Sequence, residues 1–416
     1  MRRVLVVVVV SGACGDGLSA TDAAPAPDAR GGLVSVQFLS DLSPLGDHTV
    51  YFQNADTSLV LAGRTMGDGR ANAFMAPGGS VTLVVQRGNL VALFTHLAVQ
   101  PGDELVIDER TTTTDARATT LQIGVPAEPT STFYDLSTSC GSADIRGAEV
   151  APVTVTLSDC GARADMLVRA FGNGVHYIYR DAVELAPGAT VTFAGPYRPL
   201  EPAVIQATHV DATIPELTVT HALIGGGREL YREEGRITPA AGAGATVLDV
   251  PIPLDGTSMI RIDPAPSGAL ADHHVIEWGP SARSNVVDLA PTARPILERP
   301  RIDLERRAVV WTEAPTGGLA DAVLATFQWS PPGSGRNYQW SVVGPHPDDA
   351  ILHLPILPRA ELVPQGNVID PYIFATISIT GGYDRLRPRI LGRWSPGRLW
   401  PTDGDAGRVA YLGLVP

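Results

Sequence analysis

Lysine is absent from this chain; all 31 basic residues are arginine. That excludes a P-loop, whose lysine reaches the nucleotide phosphates, and it excludes Schiff-base or general-base catalysis by lysine. Positive charge is scarce as well, with 44 acidic side chains against 31 basic ones and a net charge of -13. Such a balance argues against nucleic acid as a partner and against direct docking on anionic lipid, since both depend on neutralising phosphates. No Gly-x-Ser-x-Gly, His-Glu-x-x-His or Gly-x-Gly-x-x-Gly string occurs, so three familiar routes to a hydrolase or a dinucleotide enzyme are missing. Cysteine is nearly absent, with only Cys14, Cys140 and Cys160.

Glycine (43) and proline (35) are abundant and punctuate short apolar runs. That density of turn-formers favours strands over helices. At the N-terminus, Arg2 and Arg3 precede Val4 to Val10, then Ser11, Gly12, Ala13 and Cys14. A basic start, a short apolar run and a small-residue site are the parts of a secretory signal. The run is too short to span a bilayer, which takes about 20 apolar residues. A valine run is also a strong strand former, so a buried strand is the structural alternative. Because it ends on a cysteine, the segment resembles a bacterial lipoprotein signal, with Ser11 where that family prefers leucine. The resemblance implies that Cys14 becomes a lipidated N-terminus and places the protein in the cell envelope, held to the membrane by its lipid.

If Cys14 carries lipid, Cys140 and Cys160 remain as an even pair, and an oxidising compartment favours a disulfide between them. Closing that loop of about 20 residues is worth on the order of 3 kcal/mol. Residues 15–32 (GDGLSATDAAPAPDARGG) have no apolar face and read as a disordered tether.

Ordered sequence is expected from Leu33. SLVLAGRT, RANAFMA and SVTLVVQ, separated by Met66-Gly67-Asp68-Gly69 and Pro77-Gly78-Gly79, read as a β-meander with tight glycine turns. The stretch from Val50 to Val85 resembles the carboxypeptidase-regulatory or transthyretin-like module, in its Asp68-Gly69 turn, Phe74, Pro77-Gly78 and the Val81–Val85 strand. That resemblance implies a seven-stranded sandwich used as scaffold or spacer. Arg70–Leu83 aligns with Arg180–Phe193 at an offset of 110 residues, and Ala241–Leu248 is a weaker echo. These are either recurring hairpins of successive units or a common turn; spacing leaves both open.

The fold expected is all-β: tandem antiparallel β-sandwich domains after a signal and tether. The organisation reads as 1–14 signal, 15–32 tether, 33–110 transthyretin-like sandwich, 118–200 second sandwich with the disulfide, 201–300 β-rich region and 301–416 tryptophan-rich β domain. All six tryptophans lie from Trp278 onward. Trp311, Trp329 and Trp340 sit in strand-like runs and read as core, whereas Trp394 and Trp400 sit in a loop-like stretch and are the candidates for stacking on a glycan. Val342 to Ala350 contains His346-Pro347-Asp348-Asp349, which resembles the zinc-binding signature of deacetylases acting on N-acetyl sugars. That resemblance implies a hydrolase with His346 and Asp349 on zinc, but the expected α/β context is missing and a strand followed by a turn is favoured. Asp272-His273-His274 with Glu277 falls in a strand pattern that splits the set between two faces. The functional expectation is a non-enzymatic, lipid-anchored envelope protein, a scaffold or a binder of protein or glycan, with no cofactor and no nucleic-acid partner.

Overall fold

The computed structural model describes residues 31–387 and 406–414, apart from 41–42, 109–117, 159–162, 213, 226–227, 254–255, 265–271, 291–295, 316–317 and 365–366. The fold is all-β, with one five-residue helix among the described residues.

The first unit contains β1 (Gly32–Ser40), β2 (Ser43–Pro44), β3 (Thr49–Gln53), β4 (Leu59–Arg64), β5 (Arg70–Met75), β6 (Gly79–Arg87), β7 (Leu90–Val99) and β8 (Glu104–Asp108). β5 alternates exposed and buried residues, turning Ala71, Ala73 and Met75 inward, as a strand covered on one face must. It pairs with β1, which holds β8 in parallel on its other side. The facing sheet runs β4-β3-β6-β7. The meander expected over β4, β5 and β6 is therefore not formed: β5 belongs to the opposite sheet. Short glycine turns carry the chain across the sandwich as readily as back along one sheet, and alternation reports a strand's buried face without naming its partner.

The same arrangement occurs twice more. The second unit has β9 (Ala118–Gly124), β10 (Phe133–Thr138), β11 (Gly141–Asp144), β12 (Val153–Ser158), β13 (Arg163–Gly172), β14 (Gly174–Glu184), β15 (Thr190–Thr192) and β16 (Arg198–Pro199). Its sheets are β12-β9-β15 and β11-β10-β13-β14-β16. The third has β17 (Glu201–Thr208), β18 (Leu217–Gly225), β19 (Arg228–Ile237), β20 (Gly244–Val250), β21 (Thr257–Pro264), β22 (Asp272–Pro280) and β23 (Ser284–Asp288), in sheets β20-β17-β23 and β19-β18-β21-β22. In each unit the first long strand pairs in parallel with the last strand of its sheet.

This topological repeat is not the 110-residue one. Arg70–Leu83 covers β5 and the start of β6, whereas Arg180–Phe193 covers the end of β14 and β15. What the strings share is a turn glycine with positive φ: Gly78 (85°), Gly188 (76°) and Gly242 (80°). Such a turn requires glycine wherever it falls in the topology, so the strings encode a turn.

The fourth unit contains β24 (Ile296–Asp303), β25 (Ala308–Glu313), β26 (Ala322–Ser330), β27 (Asn337–Pro345), β28 (Ile351–His353), β29 (Asn367–Ile379), α1 (Gly382–Leu386) and β30 (Gly407–Leu414). It packs β24-β25-β28 against β27-β26-β29-β30. Both edges of the larger sheet are used again. β30 pairs antiparallel with β22 of the third unit, and β27 pairs in parallel with β7 of the first. Twelve strands thus form one continuous sheet, β19-β18-β21-β22-β30-β29-β26-β27-β7-β6-β3-β4.

The seam strand β7 and β26, the neighbour of β27 within the fourth unit, have sequences suited to this. β7 (LVALFTHLAV) and β26 (AVLATFQWS) are buried almost throughout rather than alternately, the pattern of strands covered on both faces. At the seam, Trp340 Nε1 of β27 donates to Thr95 Oγ1 of β7 at 2.8 Å, and Thr95 is hydrogen-bonded to Thr82 Oγ1 at 2.8 Å. Trp311, Trp329 and Trp340 fill the core beside the seam with Phe327, Tyr338 and Phe374, and Trp329 stacks on Tyr338 at 5.1 Å. Trp278 is buried against Met259 and Tyr411 in a second cluster. These four tryptophans are core, as the strand-like surroundings of Trp311, Trp329 and Trp340 suggest for those three.

Candidate functional site

Several of the residues singled out in the sequence lie outside the described residues: Cys14, Cys160, Trp394 and Trp400. Cys140 is described. It is buried in the turn between β10 and β11, with its Sγ 3.3 Å from Thr138 Oγ1.

His346 follows the end of β27 and turns away from the aspartates that follow it in sequence. Its Nε2 lies 2.7 Å from Glu313 Oε1, and the same oxygen accepts a hydrogen bond from Trp311 Nε1 at 2.6 Å. The His346 and Glu313 side chains are only 5% and 6% exposed. Asp348 and Asp349 are exposed, and Asp349 Oδ1 caps the turn by accepting from Ile351 N at 3.2 Å. A zinc hydrolase needs three protein ligands and an open position. Among the described residues no group of three His, Cys, Asp or Glu side chains comes together, so the His346–Asp349 string is a strand end and a turn. Its histidine braces Trp311 in the core. His274 is likewise engaged structurally, hydrogen-bonded to Asp263 and stacked on Tyr411.

A buried polar cluster joins the first and fourth units. Arg387, just after α1, has a 4% exposed side chain; its Nε lies 2.6 Å from Asp103 Oδ2, and its Nη2 donates to Asp103 Oδ1 at 2.8 Å. Nη1 donates to Ala98 O at 3.2 Å and to Asp384 Oδ1 at 2.7 Å. Tyr383 supports the arrangement by donating its hydroxyl to Leu97 O at 2.7 Å. Asp103 also accepts from Gln100 N at 2.6 Å, so the turn before β8 is fixed by the same carboxylate that holds the arginine. His96, on the neighbouring strand, is 2% exposed, and burial together with the Arg387 charge pushes its pKa down to about 4. Apart from Asp384, whose side chain is exposed, these groups are packed away from solvent and clamp two units together.

An accessible concavity lies elsewhere. A cleft of about 310 Å³ is lined by Tyr177, Ile178, Tyr179 and Asp181 of β14, by Pro196 and Arg198, and by Pro253 of the third unit. Tyr177 itself is buried, and its hydroxyl accepts from Ile252 N at 3.1 Å, which fixes the cleft wall to the third unit. β16 pairs only with His176 and Tyr177 of β14. The cleft was not read from the sequence because its lining comes from three separate stretches, 177–181, 194–198 and Pro253, and no motif marks them.

No family model matches the chain, and no curated protein matches it. Three solved structures show the level of likeness found. The Bacillus anthracis TIE protein is 13% identical over 62% of this chain, with a TM-score of 0.16, and this chain spans half of its length. A streptococcal ancillary pilin is 10% identical over 55% of this chain and 89% of its own, with a TM-score of 0.14. The pilus adhesin SpaC from Lactobacillus rhamnosus GG is 10% identical over 80% of this chain and 44% of its own, with a TM-score of 0.17. Scores this low carry no inference about what this chain does.

Proposed function

We propose that this chain is a non-enzymatic, lipid-anchored cell-envelope protein that acts as a rigid scaffold or binding module. The observation that carries the reading is the twelve-stranded sheet shared by three units. At roughly 4.8 Å per strand it extends for roughly 55 Å, and its seams are hydrogen-bonded ladders instead of flexible linkers. That architecture suits a spacer or display platform better than a hinged enzyme, whose closing lids need segments that move. The D-A-G and C-B-E-F order of the first unit, with strands lettered A to G along the chain without β2, supports its likeness to a transthyretin-like sandwich. The Ser11-Gly12-Ala13-Cys14 string supports lipidation at Cys14 and a place in the cell envelope. An oxidising compartment would in turn pair Cys140 with Cys160. Where the chain binds a protein or glycan, the Tyr177–Arg198 cleft is a concavity of suitable size.

Radiolabelled palmitate tests the anchor. Incorporation is expected in the native chain and is expected to vanish in Cys14→Ser, with the protein moving from the membrane fraction to the soluble one. Label that persists in Cys14→Ser, or a native chain that takes up none, would reject the anchor.

A further inference from the structure

Strand β14 breaks its pairing with β13 at one place, and the break falls on the wall of the Tyr177–Arg198 cleft. Met166 pairs with Arg180 and Ala164 with Val183, so Asp181 and Ala182 stand opposite the single residue Asp165. That is a β-bulge, a device that bends a strand, re-aims its side chains and is over-represented beside functional sites. Ala182 adopts φ 44° there, in the left-handed region that costs any residue with a Cβ. Asp165 holds the distortion in place, its Oδ1 accepting from Ala182 N at 2.6 Å. Strain that a neighbouring carboxylate has to stabilise points to something the strained segment presents. What it presents is Asp181, whose exposed carboxylate lines the cleft and meets no hydrogen-bond or ionic partner among the described residues.

We propose that the cleft is a subsite for one uncharged sugar ring, with Asp181 and Arg198 as its polar contacts. The proposal rests on reading the chain as a binding module and names the ligand class of that cleft. Charge narrows the class. Asp181 and Arg198 carry opposite signs, and Glu201 beside them is ion-paired with Arg283. A cation entering the cleft meets Arg198 and an anion meets Asp181, so a ligand with either charge pays for a like-charge contact.

Hydrogen-bonding chemistry narrows it further. An ionised carboxylate only accepts and a guanidinium only donates. Neighbouring hydroxyls of a pyranose do both, so a sugar edge satisfies Asp181 and Arg198 together. Arg198 is oriented for this by donating to the Tyr177 hydroxyl, which also accepts from Ile252 N, and one such bond leaves most of its five donors for a ligand. Half-buried Tyr179 and exposed Pro196 supply apolar surface for the C–H face of the ring. An extended peptide would need a groove several residues long. A cleft of about 310 Å³ is at the small end of ligand sites and fits a single ring or the end of a glycan chain.

Saturation-transfer NMR on the purified full chain tests this with the methyl pyranosides of glucose, galactose and mannose, each titrated to about 50 mM. At least one is expected to bind with a Kd on the order of 1 mM. Asp181→Ala and Arg198→Ala, both at exposed positions, are each expected to weaken that binding about tenfold. Glucuronate and glucosamine, which carry a charge on the same ring, are expected to bind about tenfold more weakly than the glucoside. Asp181→Asn keeps an acceptor but leaves the cleft net positive, and is expected to bind glucuronate about tenfold better than the native chain does, a gain that loss of structure would not produce. Binding that survives both alanine variants, or charged sugars that bind as well as neutral ones, overturns the proposal. A proline-rich peptide titrated in parallel separates the two ways of failing. If it binds and no pyranoside does, the sugar is wrong and the chain is still a binding module; if neither binds, the proposal falls and the chain is left as a scaffold.

Discussion

Replacing Arg387 by methionine is expected to destabilise the protein by about 3–5 kcal/mol, read as a fall in the denaturation midpoint. That is a large part of the roughly 5–15 kcal/mol by which folded domains exceed their unfolded states. The cost comes mainly from what is left behind. Asp103, whose side chain is 14% exposed, would keep its charge beside the buried methionine with only Gln100 N as a hydrogen-bond donor. Asp384 on the same arginine is 80% exposed and would simply return to water. The double variant Arg387→Met with Asp103→Asn is expected to recover most of the loss, because an apolar replacement of a whole buried pair is often nearly neutral. A single variant that loses less than about 1 kcal/mol would show that the pair does not hold the first and fourth units together.

Acidification is expected to remove on the order of 3 kcal/mol for each of two core histidines between pH 6.5 and pH 4. His221 sits on β18 in the interior of the third unit, fully buried, and neither ring nitrogen meets a hydrogen-bond partner among the described residues. Burial lowers its pKa to about 4, and His96 is lowered to about 4 by burial and by the Arg387 charge. Above pH 6.5 both rings are neutral whether the chain is folded or not, so they contribute no pH dependence. Below it, the unfolded chain takes up protons that the folded chain refuses, and stability falls until the folded rings protonate near pH 4. His221→Leu is expected to remove one of the two contributions, flattening stability against pH over this interval when followed by urea titration. An unchanged slope in that variant would mean that His221 is not held neutral in the fold.

Much of the fold is legible residue by residue. The alternation in Arg70–Met75 and the apolar runs at Leu90–Val99 and Ala322–Ser330 mark strands, and they distinguish strands covered on one face from those covered on both. The strand settings of Trp311, Trp329 and Trp340 mark them as core. Partnership between strands is far less legible. β7 and β27 pair although about 250 residues separate them, and nothing in either strand's side-chain period names the other. Equivalent turn strings at Pro77-Gly78 and Pro187-Gly188 occupy different places in their units, because a positive-φ glycine specifies a turn and leaves the sheet it leads to unspecified.

The site residues show the same division. His346 has the residue types of a zinc ligand set in sequence, yet β27 delivers its ring to Glu313 and Trp311 while the turn sends Asp348 and Asp349 to solvent. Arg387 and Asp103 are ordinary charged residues in loop-like stretches, and only the join between β7 and β27 makes their pairing possible.

Amide hydrogen exchange on the full chain, read residue by residue along β7, tests the shared sheet most directly. Successive amides of an antiparallel or parallel ladder point alternately to the two neighbouring strands. With β6 on one side and β27 on the other, slow exchange is expected at every amide from Val91 to His96. Fast exchange at every second one of these amides would show that β7 is an open edge and that the units are separate beads on a chain.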